Sequence, residues 1–90
     1  MNVKERQLSD LEGIGKAMLR DFEKLGINSV SALSKQDPDK LYRKLSQLSG
    51  PQDPCVLDTF RCAVAQAQDP NLPEEQRKWW YWSRKRKGEI

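Results

Sequence analysis

Histidine is absent from this 90-residue chain, and cysteine occurs only twice. Without histidine there is no Cys–His pair and no side chain that titrates near neutral pH unaided. A zinc site built on Cys55 and Cys62 would have to recruit carboxylates. No stretch approaches the roughly 18 consecutive apolar residues of a membrane span. The opening residues, Met1-Asn2-Val3-Lys4-Glu5-Arg6, also lack the apolar region of a secretory signal. The expected location is therefore the cytoplasm or nucleoid, with no membrane partner. A global excess of positive charge is missing as well. The net charge of +3 comes entirely from residues 72–90, which hold six basic and three acidic side chains, while residues 1–71 hold ten of each. Binding to a polyanion must then come from local features.

What remains is a short, charged chain large enough for one domain with a modest core. Apolar periodicity and start signals divide it into about five or six short helices. A first helix is expected near Lys4–Leu11, with Val3, Leu8 and Leu11 inward. A second runs from Lys16 to Leu25, with Met18, Phe22 and Leu25 facing a core, and Gly26 ends it. Asn28-Ser29 can cap a short turn from Val30 to Ser34, burying Ile27, Val30 and Leu33. Asp37-Pro38 opens a third helix that buries Leu41, Tyr42, Leu45 and Leu48, and Gly50-Pro51 breaks it. Asp53-Pro54 repeats the start signal, with Asp53 as cap. Val56, Phe60, Ala63, Val64 and Ala67 then form one apolar stripe up to Asp69-Pro70. Leu72-Pro73-Glu74-Glu75 starts a last helix, in which Trp79 and Trp82 share a face and lock it onto the core. The domain is expected to span residues 1–82. Residues 83–90 form a basic tail carrying Arg84, Lys85, Arg86 and Lys87.

Cys55 and Cys62 fall on one helix in this scheme, about 10.5 Å apart along its axis. A disulfide tolerates Cα separations of about 4.4–6.8 Å, so both are expected as buried, reduced thiols.

The stretch that points to function is Leu8-Ser9-Asp10-Leu11-Glu12-Gly13-Ile14-Gly15-Lys16-Ala17-Met18. Two glycines supply backbone conformations that a Cβ would penalise by roughly 1–2 kcal/mol each, Ile14 plugs the turn back against the helices, and a helix opens at Lys16. The first N–H groups of that helix lack intrahelical partners and sit at the positive end of its dipole, a ready anion site. Lys16, Arg20 and Lys24 line one flank at four-residue spacing. The pattern resembles the helix-hairpin-helix module, which grips nucleic-acid backbones without reading sequence. The resemblance implies phosphate contacts from the N–H groups of Gly13, Gly15, Ala17 and Met18. It also implies a bridging monovalent cation on the carbonyls of Ser9, Leu11 and Ile14, and no other cofactor. Glu12 departs from the pattern, which often has proline there, and a carboxylate would weaken the grip.

A weak echo follows: Leu8-Ser9-Asp10-Leu11-Glu12-Gly13 against Leu45-Ser46-Gln47-Leu48-Ser49-Gly50. With one insertion, Leu19 and Phe22 match Leu57 and Phe60. The second copy has Pro51-Gln52-Asp53-Pro54 in place of Ile-Gly-Lys, so it is read as structural.

Over its whole length the chain resembles the small bacterial pathogenicity-locus family. The signature runs from the Leu-x-Gly-Ile-Gly turn through Leu25-Gly26-Ile27, Asp37-Pro38, Leu41-Tyr42 and Cys55-Val56-Leu57 to Lys78-Trp79-Trp80-x-Trp82. The resemblance implies an all-α helix-hairpin-helix domain that binds DNA, with no established activity. Three functions are weighed. A sequence-independent DNA or RNA backbone binder comes first, with the basic tail as auxiliary. A protein–protein adaptor using the same fold and the aromatic terminal helix comes second. A DNA-repair enzyme fragment is the remote third. Some glycosylases resemble this chain in placing a lysine near the hairpin and a carboxylate after Gly-Pro, as Lys16 and Gly50-Pro51-Gln52-Asp53 do. The extra residue breaks that motif, and ninety residues cannot enclose a flipped base between two lobes.

Overall fold

Helix α4, Pro54–Gln68, is the element on which the others rest. This computed structural model describes residues 6–90, so the expectation for Val3, Lys4 and Glu5 lies outside the described residues. Before α4 come a 3-10 turn at Leu8–Asp10, then α1 (Lys16–Lys24), α2 (Val30–Ser34) and α3 (Pro38–Ser49). After it come a second 3-10 turn at Glu74–Arg77 and α5, Trp79–Arg86. The architecture is all-α, with five α-helices among the described residues.

α2, α3 and α5 all pack on α4. Its stripe of Phe60, Ala63, Val64 and Ala67 is buried against Leu8, Leu11, Phe22, Leu25, Ile27, Leu33, Leu41 and Leu45. The starts and stops follow from local chemistry. Asp37 accepts the N–H of Asp39 ahead of Pro38, and Ser29 accepts that of Ala32. α1 stops where the N–H groups of Gly26 and Ile27 return to the carbonyls of Glu23 and Phe22, the paired bonds of a Schellman end.

The two members of the echo meet in the core. The Phe22 and Phe60 rings lie 5.7 Å apart and tilted by 36°, within the range where aromatic pairs attract. Gly13 and Gly50, which correspond in the echo, both take positive φ, 81° and 90°.

Several expectations need correction. From Arg6 on, the segment before the glycine turn holds a single 3-10 turn at Leu8–Asp10 and not a helix through Leu11. Leu48 is 57% exposed, because the last turn of α3, Gln47–Ser49, faces solvent throughout. Asp53 precedes α4 but its carboxylate makes no capping bond. Cys55 is exposed, and only Cys62 is buried.

The terminal segment differs most. It is broken at Lys78, whose φ of −105° and ψ of 133° are extended. In an unbroken α-helix the Gln76 carbonyl would accept the N–H four residues on. Here it accepts the Trp82 indole N–H at 2.8 Å and the Cys62 thiol at 3.7 Å. Trp82 is thereby held against α4, while Trp79 is 44% exposed and does not lock the helix. α5 continues past Trp82 to Arg86, with Ser83 buried.

Candidate nucleic-acid interface

The glycine turn is set by three neighbours. Leu8 and Leu11 are buried on one side, and Ile14 packs on the same core from the other. Gly13, at φ 81°, takes the left-handed backbone that reverses the chain, a conformation a side chain would penalise by about 1–2 kcal/mol. Gly15 is different. Its φ of −96° and ψ of −174° are ordinary extended backbone, so the expectation that both glycines relieve strain holds for Gly13 alone. Beyond Gly15 itself and its two chain neighbours, no described atom lies within 4 Å of where a Cβ on Gly15 would stand. The fold does not need a glycine at this position.

Gly15 precedes α1 and offers no side chain to cap it. The first bond to its carbonyl comes from Leu19 N–H at 3.0 Å, so the N–H groups of Lys16, Ala17 and Met18 face outward at the positive end of the helix. Lys16, Ala17 and Arg20 are exposed, and Met18 is half-buried against the core. Lys16 and Arg20 form no salt bridge among the described residues, whereas Lys24 donates to Ser49 Oγ at 3.4 Å. The carbonyls of Ser9, Leu11 and Ile14 accept no backbone hydrogen bond among the described residues.

Glu12, the departure from the motif, is the best-held residue of the turn. Its N–H donates to Gln66 Oε1 at 2.9 Å, and Gln66 Nε2 donates back to the Glu12 carbonyl at 3.0 Å. The side-chain amide of Gln66, a residue only 4% exposed, thus clasps the backbone of one residue of the turn from α4. Arg6 secures the same corner by donating to the carbonyls of Gln66 and Ala67, at 2.9 and 3.3 Å. The Glu12 carboxylate accepts from Lys78 Nζ at 2.6 Å. Its other oxygen faces Arg77 Nε at ion-pair distance without a directed hydrogen bond. The Lys78 hydrogen bond, followed by the nearby charges, holds the Glu12 carboxyl below its ordinary range. Its negative charge is therefore already compensated beside the turn.

Sequence reasoning missed Gln66, Arg77 and Lys78. The one available signal was Gln66 itself, a polar residue beside the apolar positions Ala63 and Ala67 of α4.

The corresponding turn before α4 is built differently. Pro54 at its first position has no N–H to offer. Gln52 is tied down, its carbonyl accepting Tyr42 Oη–H at 2.6 Å and its amide donating to the Gly50 carbonyl at 2.9 Å. That turn is occupied by its own side chains.

The four cations of the C-terminal run are placed differently. Arg86 is committed to the buried Asp58, through Nε at 3.0 Å and Nη2 at 3.1 Å. Lys85 lies over the Trp82 ring, 5.3 Å from its centroid, and Arg84 faces Glu89 at 3.6 Å. Lys87 closes the helix end, its N–H on the Ser83 carbonyl.

A hollow of about 390 Å³ adjoins the glycine turn, bounded by Gly13, Gly15 and Ala17, by Cys55 and Val56 of α4, and by Trp79. Among the described residues, no group of three or more Cys, Asp or Glu side chains is placed to hold a metal ion. No helix among them is long and apolar enough to cross a membrane.

Comparison with known proteins adds a relative and a family. The chain is 40% identical over 81 residues to the mitomycin resistance protein McrB of Streptomyces lavendulae, covering 89% of this chain and 73% of that one. No solved structure matches it significantly. The family described as pathogenicity locus, Cdd1, matches residues 2–88, and the chain belongs to it.

Proposed function

We propose that this chain is a non-enzymatic module that binds a nucleic-acid backbone, DNA in the first place, without reading its sequence. The Leu8–Lys24 unit would act as a helix-hairpin-helix, with the N–H groups of Gly13, Gly15, Ala17 and Met18 donating to one or two phosphates. Lys16 and Arg20 would add charge from the flank. A monovalent cation on the carbonyls of Ser9, Leu11 and Ile14 would supply a bridge to a further phosphate oxygen, and those carbonyls accept no backbone bond among the described residues.

The observation that carries this reading is Gly15. Its backbone is unstrained and open space surrounds it, so its bareness serves an approach from outside the fold. A backbone phosphate seated on outward N–H groups requires such an approach. The pairing of Glu12 with Lys78 and Arg77 supports it further, by removing the nearest repulsive charge.

A salt-titrated anisotropy experiment with duplex and single-stranded oligonucleotides of several sequences tests the reading. Binding should be on the order of 10⁻⁴ to 10⁻⁶ M and sequence-insensitive. The slope of log K against log salt should be about −2 for two phosphates, and Lys16→Ala should flatten it by up to about one unit. Gly15→Glu should abolish binding while circular dichroism stays unchanged. Parent-like binding by a folded Gly15→Glu protein would take the turn out of the mechanism.

The adaptor reading is favoured by one observation, the exposure of Trp80 and Leu48. It predicts a protein ligand whose binding is unaffected by Gly15→Glu. The relative's name records mitomycin resistance, and either module could serve such a phenotype.

A further inference from the structure

Trp79 is a large aromatic residue left outside the core, and it stands at the edge of the glycine turn. Trp82, three residues on, donates its indole N–H to Gln76, meets Tyr81 edge-on at 5.4 Å and carries Lys85 over its face. Trp79 has no aromatic pair, cation or hydrogen bond of that kind among the described residues. It nonetheless lines the same hollow as the turn. Lys78, directly before it, is paired with Glu12, and Glu12 directly precedes Gly13. One ion pair therefore tethers the backbone that carries the indole to the glycine turn.

The hollow between them has two kinds of wall. Gly13, Gly15 and Ala17 present backbone, while Val56, Met18 and Trp79 present apolar surface. Asp21 also lines it, and a carboxylate there repels a phosphate but not an uncharged ring. An occupant that suits all of these is flat, uncharged and attached to a phosphate on the turn side. An apolar protein side chain matches the apolar wall alone.

We propose that the hollow receives an unpaired nucleobase stacked on Trp79, next to a phosphate gripped at the glycine turn. The preferred ligand is then a strand with unpaired nucleotides, such as an overhang, gap or junction, rather than an intact duplex whose bases are shut in the stack. This rests on the backbone-binding reading and refines its ligand. Glu12, which the motif alone marks as a defect, ties the residue before Trp79 to the turn.

Two fluorescent probes separate the inferences: a short duplex with a three-adenosine overhang, and the same duplex with three abasic sugars in the overhang. Both carry the same phosphates. The parent should bind the adenosine probe about five- to 150-fold more tightly, the range equivalent to stacking one base on an aromatic side chain. Trp79→Ala should bind both probes alike, at the parent's affinity for the abasic one, and Trp79→Phe should keep part of the preference. Gly15→Glu should lose both probes. Cys55 lines the same hollow, so the adenosine probe should slow its alkylation by iodoacetamide and the abasic probe should not. Equal binding of the two probes by the parent overturns the stacking proposal while leaving backbone binding intact. So does an undiminished preference in Trp79→Ala. A parent that binds neither probe overturns both.

Discussion

Asp58 is fully buried, and its carboxylate is gripped side-on by Arg86, whose Nε reaches both oxygens at 3.0 and 3.2 Å. The pair joins the middle of α4 to the last turn of α5. It draws into the fold a residue that the charge pattern assigns to a solvated tail. Asp58 and Arg86 are 28 residues apart, and the guanidinium keeps its proton more firmly because it donates to Asp58.

Arg86→Ala should therefore destabilise the protein, whereas Arg84→Ala and Lys87→Ala should not. Leaving a buried carboxylate unpaired costs about 3–5 kcal/mol, and about 1 kcal/mol moves the melting temperature of a domain this size by roughly 4–8 °C. A thermal melt that places Arg86→Ala alongside Arg84→Ala would show that Asp58 does not depend on its partner.

The tryptophans should separate in the same assay. Trp82→Ala removes a half-buried ring and leaves the Gln76 carbonyl without its indole donor, at a cost of about 2–3 kcal/mol. Trp79→Ala truncates an exposed ring and should change stability by no more than about 0.5 kcal/mol. Equal losses would mean that Trp79 is packed in solution.

Glu12 adds a pH dependence with a definite sign. Its folded pKa lies below the ordinary value of 4.5, so its contribution is present above that value and is lost as pH falls through the lowered one. Lys78 is held above 10.5 by the same contact, so its share is full below that value and fades as pH rises past the folded one. Glu12→Gln should thus melt slightly below the parent at pH 7, and the gap should close in strong acid. A gap that persists unchanged at pH 2 would assign the effect to something other than the ion pair.

The thiols should differ sharply. Burial pushes Cys62 up to about 11 from an ordinary 9.0, which lowers its thiolate fraction at neutral pH about a hundredfold. Cys55 is exposed and should alkylate first, with Cys62 reacting only on unfolding. Mass spectrometry after brief iodoacetamide treatment checks this. An intramolecular disulfide would break the single-helix placement.

Much of the fold is legible in the sequence because its signals are local. Asp37-Pro38 and Ser29 start helices, Gly26 and Gly50 stop them, and a stripe running from Phe60 to Ala67 declares the face of α4. Turn chemistry also marks Gly13-Ile14-Gly15 and the bare end of α1, since a positive φ and an uncapped helix start are decided by the residues at those positions. Tertiary structure decided the rest. Whether Glu12 is a repulsive charge depends on Lys78 and Arg77, more than sixty residues away, and no local pattern links them. Trp79 and Trp82 have the same chemistry and the same helical spacing. The carbonyl of Gln76, turned from the helix to face an indole, marks the half-buried Trp82 off from the exposed ring beside the turn. The basic run reads as a tail because charge is counted along the chain, yet Arg86 belongs to Asp58 because a buried carboxylate must find a partner in space.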